Sequence, residues 1–106
     1  MATLLVSFDI EFDNSDTYNR IYDALNDEIR ADLTSDQWWA QTTSFYVVQS
    51  EESASVFAAR VWNAAKMRKT KDRLLVLDAN VKAGAAIGNI TDQTLFSLLP
   101  FVKKLQ

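Results

Sequence analysis

Few residue types in this chain can do chemistry, and nearly all of those are charged. There is no histidine and no cysteine among the 106 residues. The commonest general base and the commonest metal ligand are therefore missing, together with disulfides and thiolate metal sites. Catalysis would have to use carboxylates, Lys, Tyr, Ser or a hard metal held by carboxylates. Asp9, in "VSFDIEFD", is the acid best placed for that. By parity it points away from the apolar face of its strand, Glu11 shares its face, and Asp13 follows. Three carboxylates this close can hold Mg²⁺ or Mn²⁺ without histidine, and a metal so held can activate water against a phosphodiester. The competing reading of Asp9 is a solvated or salt-bridged strand residue.

The densest basic run is "KMRKTKDR", with Lys66, Arg68, Lys69, Lys71 and Arg73. Lysine and arginine neutralise phosphates and release their counterions, which makes nucleic acid a candidate partner. The same run would also suit the acidic first helix of a second protomer, or simply a solvated helix end. No aromatic residue interleaves with it, so stacking on single strands is not supported. Charge is strongly polarised along the chain. Residues 1–55 hold eleven acids against Arg20 and Arg30, and residues 56–106 hold three acids against nine bases. Halves of opposite sign can attract each other, a second copy, or an outside partner. "GAAIG", Gly84 to Gly88, has no P-loop lysine, which excludes nucleotide binding there. It reads as a flexible hinge.

The elements that must position these residues follow from periodicity. Residues 3–12, "TLLVSFDIEF", alternate with Leu4, Val6, Phe8, Ile10 and Phe12 on one face, which predicts a strand. A helix over 16–31 follows from Tyr18, Ile21, Tyr22, Leu25 and Ile29, capped by Asn14 or Ser15. Residues 36–41 and 44–49 read as a hairpin. In a strand, Trp38 and Trp39 point to opposite faces, so only one can enter a core beneath helices. The other needs a second cover, either a C-terminal helix or a second copy. With Leu5 the pair marks a candidate interface, and the uncovered sheet face predicts a homodimer. A second helix starts at a cap on Ser50 or Ser53, with Val56, Phe57, Val61 and Ala64 as its stripe. Residues 73–81 make a fourth strand. A last helix, starting at Thr91 or Asp92 and running to about 105, carries Leu95, Leu98, Leu99, Val102 and Leu105, with Pro100 kinking it or ending it early.

The expected class is α+β: one domain over 1–106, a βαββαβ ferredoxin-like sandwich over about 3–82, and a C-terminal helical extension over about 91–105. No segment reaches the roughly 20 apolar residues of a membrane helix. The opening "MATLLVSFDIEF" lacks the basic region of a signal peptide, so the expected location is cytoplasmic.

Certain motifs, in this order, resemble a known superfamily. Phe8-Asp9-Ile10 closes the first strand. Trp38-Trp39 precedes Ser44-Phe45-Tyr46-Val47, and Asp72-Arg73-Leu74-Leu75-Val76 follows. Together they are similar to the ferredoxin-like superfamily of the small CRISPR spacer-acquisition nucleases, and more particularly to its uncharacterised bacterial SinR-like branch. The likeness spans about residues 3 to 82. It implies a ferredoxin-like homodimer in which the aspartate ending the first strand, here Asp9, holds a divalent metal near the two-fold axis. It departs at "EFDNSDTYNR", where the CRISPR members have arginine-rich text and this chain has only Arg20. Two functions follow. The preferred one is a non-catalytic homodimeric module that binds nucleic acid or protein. The alternative is a Mg²⁺- or Mn²⁺-dependent endonuclease using Asp9.

Overall fold

The computed structural model describes residues 1–106, and its elements trace back to local sequence. β1, Ala2–Asp9, buries Leu4, Val6 and Phe8 and exposes Ser7 and Asp9, as the alternation requires. α1, Ser15–Arg30, begins where the Asn14 side chain accepts from the Thr17 amide at 2.9 Å. Asp16 in its first turn and Arg30 in its last both suit the helix dipole. α1 stops at Ala31, and Asp32 then turns the chain with φ 62°. α2, Ala54–Ala64, is capped by Ser53, which accepts from the Val56 amide at 3.2 Å. It buries Phe57, Ala58, Val61 and Trp62. Val56 and Ala64, both expected in that stripe, are exposed, and Trp62 is the core residue instead.

The remaining strands are β2 (Trp38–Trp39), β3 (Phe45–Ser50), β4 (Arg73–Asp78), β5 (Gly84–Gly88) and β6 (Val102–Leu105), with a short helix α3 (Thr94–Leu98) between the last two. The six strands form one mixed sheet in the order β2-β3-β1-β4-β5-β6. Every neighbouring pair is antiparallel except β5 and β6. Residues of α1 and α2 share one core with alternate residues of β1, β3, β4 and β5, so both helices lie on the same face of the sheet. No helix is long and apolar enough to cross a membrane.

Three expectations are corrected. First, the hairpin is smaller than expected: β2 is two residues long, and Ser44 at φ 56° turns the chain into β3. Second, "GAAIG" is the buried strand β5 rather than a hinge. Its glycines are needed because neighbours come too close for a side chain. A Cβ on Gly84 would meet the Leu77 side chain at 2.8 Å, and one on Gly88 would run into the Asp72 carbonyl oxygen. Gly88 also sits at φ +107°, a region that disfavours L side chains. Third, the long C-terminal helix over 91–105 does not form. α3 ends before Pro100, and residues 102–105 become β6, the sixth strand of the same sheet. Ile87 pairs with Leu105, which packs against the core.

Candidate functional site: a salt-bridged junction and an open sheet face

The charged residues singled out from the sequence meet where β1 ends and β4 begins. At the centre is a residue the sequence reading missed as a site, Asp72. It is fully buried. Its carboxylate accepts from the Glu11 amide at 3.1 Å, the Arg68 amide at 2.7 Å, and the Arg68 guanidinium through Nε and Nη2, both at 3.0 Å. A buried carboxylate persists only when paired and hydrogen-bonded in this way. Arg68 reaches on, donating to the Glu11 carbonyl at 2.8 Å and to Asp13 at 2.6 Å. Lys71 also holds Asp13, at 2.6 Å. The Lys71 hydrogen bond, backed by the charge of Arg68, keeps the Asp13 carboxyl below its usual range. The hydrogen bonds that the Arg68 guanidinium donates to Asp72 raise the pKa of Arg68. The one sequence signal for this hub was the Arg68–Asp72 spacing of four, with an acid just ahead of an apolar strand.

Asp9 lies on the outer face of β1, as parity required, and opposite Arg73 in the β1–β4 register. The two side chains form a salt bridge of 2.9 Å, with Asp9 64% exposed and Arg73 40%. Arg73 also donates to the Asn89 carbonyl. Asp9, Glu11 and Asp13 do not converge: no group of three or more acids is placed to hold a metal. Glu11 offers its backbone to the Asp72–Arg68 hub, and Asp13 turns to Arg68 and Lys71. The three-carboxylate site expected from the sequence is thus corrected. The five-residue basic run also divides. Arg68, Lys71 and Arg73 are taken up by acids of the β1 end, while Lys66 and Lys69 are exposed and form no salt bridge. Much of the charge polarisation is therefore settled within the fold.

The sheet surface opposite the two helices is the second candidate. Cross-strand register places Trp39, Val47, Leu5 and Leu77 in one row, and Ser7, with Phe45 on one side and Leu75 on the other, in the next. Trp39 is 43% exposed, and Leu5, Val47, Phe45, Leu75 and Leu77 are all partly exposed. Trp38 pairs with Val48 on the helix-covered face instead. Its ring lies 6.0 Å from that of Tyr46, with the Arg30 guanidinium over it at 5.3 Å. Of the three interface candidates, Leu5 and Trp39 share the open face and Trp38 does not. Ala86 and Val102, on the open side by register, are buried yet outside the main core. Ile90, Leu95 and Leu98 border a hollow there with Arg73. The chain after β5 thus covers the β5–β6 end. β2 is at the opposite edge of the sheet, so α3 is not the cover for Trp39.

Arg60 of α2, also not singled out from the sequence, bridges to α1 through Glu28 at 2.6 Å and to the turn before its own helix through Glu52 at 2.9 Å. No family model matches the chain, and no curated protein or solved structure matches it either.

Proposed function

We propose that this chain is a ferredoxin-like interaction module that acts as a homodimer, joined through the open sheet face. The strand order β2-β3-β1-β4, with both helices on one side, supports the fold reading. The single observation that carries the function is the mutual neutralisation at the β1 end. Asp9 is bridged to Arg73, and Asp13 to Arg68 and Lys71. The acids a metal would need and the bases a phosphate would need are engaged with each other. What remains free is apolar surface: the Trp39, Leu5, Val47 and Leu77 row, which matches the chemistry of a protein interface better than that of a phosphodiester. Of the five-residue basic run, only Lys66 and Lys69 stay unpaired, a weak patch for nucleic acid.

One observation favours the alternative, a Mg²⁺- or Mn²⁺-dependent endonuclease. Asp9 is exposed and shares the outer face of β1 with Leu5, so a dimer through that face would carry an Asp9 from each protomer on its inner side. The test combines two measurements on purified protein. Light scattering should give the mass of two chains at micromolar concentration, and Trp39→Ser should give one. Incubation with labelled RNA and DNA plus Mn²⁺ should give no cleavage. Cleavage that disappears in Asp9→Asn would replace the module reading with the nuclease. A monomeric wild type would remove the homodimer.

A further inference from the structure

Where the last turns of α1 meet the connection between β2 and β3, the surface dips into a hollow of about 200 Å³. Neither the salt-bridged junction nor the open sheet face uses it. Tyr22, Trp38 and Tyr46 give it aromatic walls, and Asn26 and Arg30 border it as well. The rings of Trp38 and Tyr46 lie 6.0 Å apart and are inclined at 50°, which makes a corner. The polar groups here divide into those the fold has used and those it has not. Asn26 donates to the Tyr22 carbonyl at 2.7 Å and accepts from the Tyr46 hydroxyl. Burial raises the pKa of that hydroxyl, so it stays a neutral donor to Asn26. Arg30 is anchored at one nitrogen only. Its Nε donates to the Asn26 carbonyl at 3.0 Å, and its guanidinium carbon lies 5.3 Å from the Trp38 ring centroid. Its nearest acid, Asp27, stands 3.6 Å from Nη2, beyond hydrogen-bonding distance, with a side chain 82% exposed. Nη1 and Nη2 are thus unspent donors, and they carry the only formal charge lining the hollow.

That residue of unspent chemistry selects the ligand. A cation would meet Arg30 and be repelled. A neutral apolar molecule would take water from the guanidinium and give it nothing to donate to. A nucleotide or a peptide is too large, since pockets for drug-sized ligands begin at about 300 Å³. A carboxylate can accept from Nη1 and Nη2 together, the pairing for which a planar guanidinium is best suited. A single planar ring suits the corner of Tyr22, Trp38 and Tyr46. We propose that this hollow binds a small aromatic carboxylate, with its ring in the aromatic corner and its carboxylate on the Arg30 terminal nitrogens. Asp27 competes for the same guanidinium and gives way at little cost, because the bridge is long and solvent-exposed. The hollow lies on the helix-covered side of the sheet, so the site stands or falls independently of the homodimer and of Asp9.

The experiment titrates the intact chain with four small probes, read by tryptophan fluorescence and amide chemical shifts. Benzoate carries both ring and charge, benzamide the ring alone, acetate the charge alone, and benzylamine the ring with the opposite charge. Benzoate should saturate with a dissociation constant of about 1 mM and shift amides of residues 22–30 and 38–46. The other three should bind at least about tenfold more weakly. Arg30→Gln should weaken benzoate about tenfold, and Arg30→Lys should restore only part of the loss. Asp27→Asn should tighten it a few-fold by removing the competitor, a sign that damage to the fold would not produce. The proposal is overturned by no saturation at about 50 mM benzoate, by benzamide or acetate binding equally well, or by weaker binding in Asp27→Asn. Should Arg30→Gln disturb folding, the probe series on the wild type and the sign of the Asp27→Asn effect still decide it.

Discussion

The two faces of the sheet are built from alternate residues of the same strands, yet they are covered very differently. Leu4, Val6, Phe8, Tyr46, Val48, Leu74 and Val76 are sealed beneath α1 and α2. Leu5, Val47, Leu75 and Leu77 are just as apolar but only partly covered, and Trp39 projects beyond them. An antiparallel sheet with one solvated face normally alternates apolar with polar. Here polar residues on the open face gather toward the strand ends, at Thr3, Gln49, Asp9 and Arg73, with Ser7 the exception nearer the middle. The centre is apolar on both sides. The comparison shows that the single chain seals only one of two comparably apolar faces.

The comparison can be broken most directly in the core. Leu74→Ala should cost about 3 kcal/mol in urea unfolding, as large-to-small changes at sealed positions do, whereas Leu5→Ala should cost well under half as much in the monomer. Equal losses would erase the distinction between the faces. Gly88→Ala should cost about 2 kcal/mol, because it combines a positive φ with a collision against the Asp72 carbonyl. A change near zero would show that β5 can shift. Trp39→Ser should leave the unfolding free energy of the monomer within about 1 kcal/mol of wild type, with its main effect on association, measured by light scattering.

Smaller effects are expected at the charged junction. Asp9→Asn should change stability by less than about 1 kcal/mol, since its bridge to Arg73 is solvent-exposed. The same substitution should leave the mass of the protein in solution unchanged from wild type. Asp13 has a lowered pKa in the fold, so its contribution is complete above the unfolded value near 3.8 and is lost as pH falls through the lower, folded value. Urea midpoints of wild type and Asp13→Asn should therefore differ at pH 7 and converge at the acid end. A gap that widens on acidification would contradict the pairing with Lys71 and Arg68.

Long periodic segments were legible in the sequence. β1 declared itself by strict alternation, but the pattern predicts a strand over 3–12 with Phe12 on the apolar face, whereas β1 ends at Asp9 and Phe12 is exposed. α1 and α2 declared themselves by cap residues followed by helical spacing, although Val56 was assigned inward where Trp62 proved to be the core residue. The C-terminal third was not legible, for a physical reason. "GAAIG" has only one β-branched residue and looks mobile, but its small side chains are what allow Trp62 and Leu77 to approach closely. "VKKL" is too short to display a period, and its strand character comes from pairing with β5 rather than from propensity. At the site, the outward position of Asp9 followed from parity. Its pairing with Arg73 did not, because the partner is brought alongside by sheet register across a sequence gap of 64 residues. The Asp72 hub was obscured in the same way, since its contacts with Glu11 and Asp13 are tertiary.

The last strand has a consequence for handling and shelf life. β5 carries no charge, no proline and no large polar group, and is buried throughout. It stays harmless because β6 occupies its outer edge, presenting Lys103 and Lys104 to solvent. Proteolytic trimming back to Pro100 would strip that guard and leave an uncharged strand with open backbone donors and acceptors, a ready template for fibril growth. A preparation clipped there should turn turbid on storage while intact material stays clear, and following turbidity alongside intact mass would test this.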